Sequence, residues 1–147
     1  MEWEVWQPTP GLPEIYLVDI DGTVALLAGR NPYDERKVGS DRLNQPIADI
    51  LFDLMRSGRE LIFVTGRTEG CAVETRAWLQ DQGFQFVDVF HRAKADGRVD
   101  ATVKYELFNR HIRGKYNVRA VFDDRQQVVD MWRAIGLPVL QVAPGDF

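Results

Sequence analysis

The sequence predicts an α/β protein built on a doubly wound, Rossmann-like parallel sheet of five strands, with only a minimal cap or flap. Short apolar runs alternate with helical periods along the chain, which is the pattern of β-α-β units. Three of those runs, at 15–18, 61–64 and 118–122, stop abruptly at polar residues. In a doubly wound sheet, ligands bind beyond the carboxyl ends of the strands, so the three tips mark the expected site. A length of 147 residues is that of one domain, enough to bury roughly 68–70% of the unfolded surface in one core.

Residues 1–13 carry Trp3, Trp6, Pro8, Pro10, Gly11 and Pro13, which predicts an extended arm whose tryptophans pin it to the core or to another subunit. The domain proper is expected over 14–147. Its first strand, Ile15 to Val18, ends at Asp19-Ile20-Asp21-Gly22-Thr23. A turn follows at Gly29-Arg30-Asn31-Pro32. A helix then starts near Pro46, sets Ile47, Ile50, Leu51 and Leu54 along one face and ends near Gly58. The strand 61–64 leads into Thr65-Gly66-Arg67, and a helix over 71–82 uses Val73, Ala77 and Trp78.

Alternation predicts a strand over 84–90 and a polar loop over 91–99. Asp100 is the expected N-cap of a helix over 100–113 that buries Val103, Leu107 and Phe108 and stops at Gly114. The strand 118–122 ends at Asp123-Asp124; a helix over 125–135 and a strand over 139–142 complete the chain.

Composition excludes several classes. With 45% hydrophobic and 27% charged residues, the chain is globular, and no apolar run approaches the roughly 20 residues of a membrane span. Met1-Glu2-Trp3-Glu4 lacks the apolar stretch of a secretory signal. One cysteine, Cys71, leaves no internal disulfide and no multi-cysteine zinc site; it suits a packing role and a reducing, cytoplasmic setting. The net charge of -4 argues against a generic nucleic-acid coat, yet 92–119 holds eight Lys or Arg against three Asp or Glu. That stretch is either a solvated face or a place for backbone phosphates. His91 and Arg92 follow a strand and are candidates to touch nucleic acid, whereas His111 reads as a surface residue.

Two carboxylates as close as Asp19 and Asp21 repel by roughly 4 kcal/mol at 4 Å in an effective dielectric near 20. Taken alone, the pair is either a Mg2+ site or an Asx-type turn. A calcium loop fails, because its sixth and twelfth positions hold Val24 and Arg30 where Gly and Glu belong. The other tips favour the metal: four acids, a hydroxyl at Thr65 and cations at one sheet edge suit a phosphate monoester. In that chemistry Asp19 is the nucleophile, Asp21 the general acid and base, and Asp123 and Asp124 complete the metal site.

The ordered set Asp19-Ile20-Asp21-Gly22-Thr23, Thr65-Gly66-Arg67, Lys104 and Asp123-Asp124 resembles the four motifs of the haloacid dehalogenase superfamily of phosphotransferases. That resemblance implies that Thr65 and Lys104 hold the phosphate. It also implies that Mg2+ is ligated by Asp19, the backbone carbonyl of Asp21 and an acid of Asp123-Asp124. Gly29 to Asp34, Asp100 four residues before Lys104, Asp123 to Arg133 and the tail Gln141 to Phe147 resemble, more narrowly, the phosphatase domain of bacteriophage polynucleotide kinase-phosphatases.

The narrower resemblance implies removal of a 3'-phosphate from DNA or RNA ends, substrate roles for Arg30, Arg67 and Gly66, a supporting role for Asp100, and self-association. Arg67 also reads as a salt bridge between loops, and Lys104, on its neighbours alone, as a surface residue. Arg92 joins the substrate candidates. The sequence holds no Gly-x-x-x-x-Gly-Lys-Ser/Thr loop, so a 5'-kinase or ligase is expected to be a separate partner. Position 65 is Thr where those enzymes carry Ser; either supplies one hydroxyl.

The segment 19–60 has room for one helix and a flap but no cap domain, which leaves the site open to a polymer end. The expected function is a Mg2+-dependent 3'-phosphatase of nucleic-acid ends, in RNA or DNA repair. The alternatives are a small-molecule phosphatase of the same superfamily and an idle module that binds nucleic-acid ends.

Overall fold

The computed structural model describes residues 2–147; Met1, the first residue of the expected arm, lies outside the described residues. The main sheet comprises β1 (Glu14–Val18), β4 (Leu61–Thr68), β5 (Asp88–Arg92), β6 (Asn117–Asp123) and β7 (Val139–Gln141). All pair in parallel in the order β5-β4-β1-β6-β7. The chain winds outward from β1 to β5, then crosses back to β6 on the other side of β1. The tips of β1, β4 and β6 therefore meet at the topological switch point, where a doubly wound sheet opens a crevice.

Alternation along the strands divides the core in two. Ile15, Leu17, Ile62, Val64, Val118 and Val121 face α3 (Asp100–His111) and α4 (Gln126–Ala134). Val18, Leu61, Phe63 and Phe122 face α1 (Gln45–Arg56) and α2 (Ala72–Asp81). Val118 and Val121 share a face despite their odd spacing because Arg119 is an extra residue in a register shift opposite Ile15 and Tyr16. Between β1 and β4 lies only a two-stranded ribbon, β2 (Ala25–Leu26) with β3 (Arg42–Leu43), a 3-10 turn over Glu35–Ser40, and α1. The expected minimal flap is what is present.

Residues 2–13 contain neither helix nor strand. They are tied to the domain: Trp3 packs on Tyr105, the Trp6 amide donates to Ile135 O (2.8 Å), and Arg113 donates to Glu4 O (2.7 Å). Among the described residues, no helix is long and apolar enough to cross a membrane.

Several local expectations change. The second strand does not stop at Val64 but runs through Thr65-Gly66-Arg67 to Thr68, where it pairs again with β5 at Arg92. The third begins at Asp88, so Phe84 and Phe86 pack from a loop and His91 and Arg92 belong to the strand. Asp100 makes no N-cap bond; Val99 is the cap, and the Asp100 carboxylate turns inward. His111 stacks on Phe90 with ring centroids 4.0 Å apart. Ile50 and Val73 point outward, 47% and 78% exposed, because the buried stripes run through Ala48 and Leu51 in α1 and through Thr75, Trp78 and Leu79 in α2.

Those stripes predict opposite effects within one helix. Trp78→Ala should cost about 3–5 kcal/mol, whereas Val73→Lys should stay within about 0.5 kcal/mol, both measured by urea denaturation.

Candidate active site

The tip of β1 is a tight loop in which the amides of Thr23, Val24 and Ala25 all donate to Ile20 O, at 3.1, 3.0 and 3.0 Å. Gly22 makes the turn at φ +83°, where a Cβ would also strike the Asp124 carboxylate at 2.1 Å. The loop turns Asp19 and Asp21 in different directions. Asp19 points under β6 and is buried; its amide donates to Phe122 O (2.9 Å), and its Oδ2 accepts from Thr23 Oγ1 (3.0 Å). Asp21 stays half-exposed at the rim.

Lys104 is 1% exposed. Its Nζ donates to Asp19 Oδ1 (2.7 Å) and Asp123 Oδ2 (3.1 Å), and stands 4.0 Å from Asp100 Oδ2. This corrects its reading as a surface residue. The signal lay in the spacing: Asp100, Val103, Lys104, Leu107 and Phe108 are all buried at i, i+3, i+4, i+7 and i+8, so the lysine belongs to the inward stripe. Burial works against its charge, but Asp123, Asp19 and Asp100 outweigh it and hold the ammonium well above the ordinary lysine range.

Asp123 is fixed from three sides. Its Oδ1 accepts the Asp124 amide (2.9 Å), while its Oδ2 accepts from Trp132 Nε1 (3.2 Å) and Lys104. The chain tail braces this loop from outside: Val142 N donates to Asp123 O (3.1 Å) and Gln126 N to Gly145 O (2.8 Å). Gly145 sits so close that a Cβ would lie 2.1 Å from Asp124 O.

Asp19, Asp123 and Asp124 each offer an oxygen within 4.8 Å of the others. Burial raises the carboxyls of Asp19 and Asp124 above the ordinary range, with repulsion from Asp123 adding to it and Lys104 opposing it. Three carboxylates against one ammonium leave two negative charges, and the donor set is all oxygen. Both features fit a hard divalent cation such as Mg2+. The carboxylate of Asp21 is not in this group.

Asp21 joins a second network instead. Arg67 grips it with two hydrogen bonds, Nε to Oδ2 (3.0 Å) and Nη2 to Oδ1 (2.8 Å), and reaches Asp41 Oδ2 with the same Nη2 (2.8 Å). Arg30 forms a two-bond pair with Asp41 (2.6 and 2.9 Å) and lies 3.5 Å from Asp21. Asp41, fully buried, thus holds both arginines at the rim. It went unread in the sequence because nothing in Val38-Gly39-Ser40-Asp41 distinguishes it from an ordinary loop acid. Glu35 was missed for the same reason; it accepts from the Thr68 amide (2.8 Å) and ties the flap to the strand tip.

Thr65 is buried, and its Oγ1 accepts the Arg67 amide (3.1 Å). Gly66 is required by Asp100, whose Oδ1 lies 2.3 Å from where a Cβ would stand. Arg92 turns its donors inward, to Gly66 O, Asp96 O, Arg98 O and Asp100 Oδ1. Much of the basic stretch is likewise matched internally, with Arg98 on Asp96 and Glu106 and Arg119 on Glu14.

Doubly wound proteins that gather acids from the first and fourth sheet strands around a buried lysine make up the haloacid dehalogenase superfamily of phosphatases, and the fold and site place this chain there. Within it, the chain belongs to the polynucleotide kinase PNKP phosphatase domain family, whose profile matches residues 13–147. A protein of Autographa californica nuclear polyhedrosis virus, described as a putative bifunctional polynucleotide kinase/RNA ligase, is 37% identical over 131 residues, covering 87% of this chain and 19% of that protein.

A chain in the solved Pnkp1/Rnl/Hen1 RNA repair complex superposes with a TM-score of 0.92 at 38% identity, covering 97% of this chain and 46% of that one. A second structure of a Pnkp1/Rnl/Hen1 complex gives the same TM-score at 37% identity, covering 99% and 51%. The chain thus spans about a fifth of the viral relative and about half of each structural one.

If the three-acid cluster takes a divalent cation, adding Mg2+ should raise the melting temperature by several degrees. Asp124→Asn should remove most of that gain, as read by thermal denaturation with and without EDTA.

Proposed function

We propose that this chain is a Mg2+-dependent polynucleotide 3'-phosphatase that acts on DNA or RNA ends in nucleic-acid repair. The observation that carries the reading is the Lys104 ammonium seated between Asp19 and Asp123 at the switch point. Family membership and the likeness to chains of an RNA repair complex support the polynucleotide substrate.

In this reading, the Asp19 carboxylate attacks the phosphorus, and the bond to the 3'-oxygen breaks as Asp21 supplies that oxygen's proton. Water then attacks the aspartyl-phosphate, giving its proton to Asp21, and inorganic phosphate leaves with Asp19 restored. Arg67, which donates two hydrogen bonds to Asp21, meets a second anion in the substrate phosphate. Thr65, Gly66 and Lys104 bind the phosphoryl oxygens, and Arg30 and Arg67 face it from the rim. Asp100 and Arg92 position Gly66 and Lys104. Asp19, Asp123 and Asp124, with the Asp21 carbonyl, would hold Mg2+, which supplies positive charge to the phosphoryl oxygens.

Residues 14–147 form the phosphatase domain in this reading and 1–13 its N-terminal arm, docked on it through the described residues 2–13. The setting is cytoplasmic, with a kinase or ligase on another chain or segment.

The test is to incubate purified protein and Mg2+ with matched 3'- and 5'-phosphoryl oligonucleotides and a 3'-mononucleotide, with chelator controls. The 3'-phosphoryl oligonucleotide should be preferred; preference for the mononucleotide would make the chain a small-molecule phosphatase. Asp19→Asn should lower turnover by at least about 10^4-fold with an unchanged circular dichroism spectrum, and retained activity would refute the nucleophile.

A further inference from the structure

The flap carries a feature that the chemistry above does not use. Tyr33 is 92% exposed, the most exposed large hydrophobic side chain of the domain, and among the described residues neither its ring nor its hydroxyl has a partner. A lone exposed aromatic is ordinary on a protein surface; what sets Tyr33 apart is the loop that holds it beside the site.

The loop presenting it is not slack. Arg30 Nη1 donates to the carbonyls of Asn31 (3.2 Å), Pro32 (3.1 Å) and Asp34 (3.4 Å), so residues 31–34 wrap around that guanidinium. Asn31 Oδ1 accepts the Tyr33 amide (2.9 Å), and Asp34 N donates to Asn31 O (2.9 Å), which closes the turn. The other end of the same guanidinium binds Asp41 and stands 3.5 Å from Asp21. One arginine therefore fixes the Tyr33 loop to the rim of the phosphate site.

Beside the ring lies a concavity of about 440 Å³ lined by Asn31, Tyr33, Asp34, Glu35 and Arg36. It is open to the surface. Its two acids do not repel a polyanion unopposed: the Asp34 carboxylate is paired with Arg36 (2.9 Å), and that of Glu35 is turned to Thr68.

We infer that this flap concavity is a nucleoside subsite, in which Tyr33 stacks on the base of the nucleotide that carries the 3'-phosphate. The inference rests on the polynucleotide reading and deepens it. Stacking on an aromatic ring tolerates any base, because every base has a π-face. It adds affinity for an end regardless of its sequence, as an end-repair phosphatase requires. It also separates a polymer end or nucleotide from inorganic or sugar phosphates, which offer nothing to stack.

The test compares wild type, Tyr33→Ala and Tyr33→Phe on two 3'-phosphoryl oligonucleotides, one complete and one whose terminal nucleotide lacks its base. Tyr33→Ala should raise KM on the complete substrate about tenfold, equivalent to about 1.4 kcal/mol, with kcat within about twofold, while Tyr33→Phe keeps the wild-type KM. Wild type should lose about the same factor when the base is removed, and Tyr33→Ala should lose nothing further. An unchanged KM in Tyr33→Ala, or an equal rise on both substrates, overturns the subsite alone. A wild type that hydrolyses small phosphomonoesters but neither oligonucleotide overturns the subsite together with the polynucleotide reading.

Discussion

The ion pairing of Lys104 with Asp19 and Asp123 is the constraint around which this molecule is arranged. A lysine in the interior is costly, and so is each buried carboxylate; left without its partners, either would neutralise rather than stay charged. Gathered at one point, they oblige three chain segments to meet there. The tips of β1 and β6 must lie side by side, and α3 must bring its first turn over them. The strand order does this, since the crossover from β5 to β6 leaves the tip of β1 flanked by neighbours added in opposite directions. The same requirement explains the bracing of the Asp123-Asp124 loop by Trp132 and the tail, which keeps a charged cluster from relaxing outward.

Charge at the site is divided between two networks of opposite balance. The buried one, with Asp19, Asp123 and Asp124 around Lys104, carries excess negative charge and suits a cation. The rim network of Arg30, Arg67, Asp21 and Asp41 is neutral, with both arginines buried beneath the half-exposed Asp21. Asp19 and Asp21, two residues apart, belong to different networks because the turn at Ile20 and Gly22 sends them different ways. That separation lets two carboxyls of one motif take unlike roles in the proposed chemistry, one buried beside Lys104 and the other half-exposed at the rim. The flap extends the rim network outward, through Arg30, to the backbone of the loop that carries Tyr33.

Strand existence and polarity were legible because they depend on short-range pattern: an apolar run ending in Asp-x-Asp or Asp-Asp is visible in a window of ten residues. The chemistry of the tips followed from the fold class. Boundaries were less legible where tertiary contacts extend a strand, as at Thr65 to Thr68, or shift one, as at Asp88. Helix faces were misjudged at Ile50 and Val73, because apolar residues on an exposed face obey no periodic rule. Asp41 and Glu35 are beyond sequence reading of this kind; their importance arises from what the flap folds against. Lys104 lies between the two cases, since its place in an apolar stripe was readable but its charge argued for the surface.

In the proposed mechanism Asp19 takes the phosphoryl group before water does. The most direct measurement is the configuration at phosphorus after turnover of a 3'-phosphoryl substrate made chiral with oxygen isotopes. Transfer to Asp19 and then to water inverts twice, so the account predicts net retention. Net inversion would show that water attacks the substrate directly, and would contradict it.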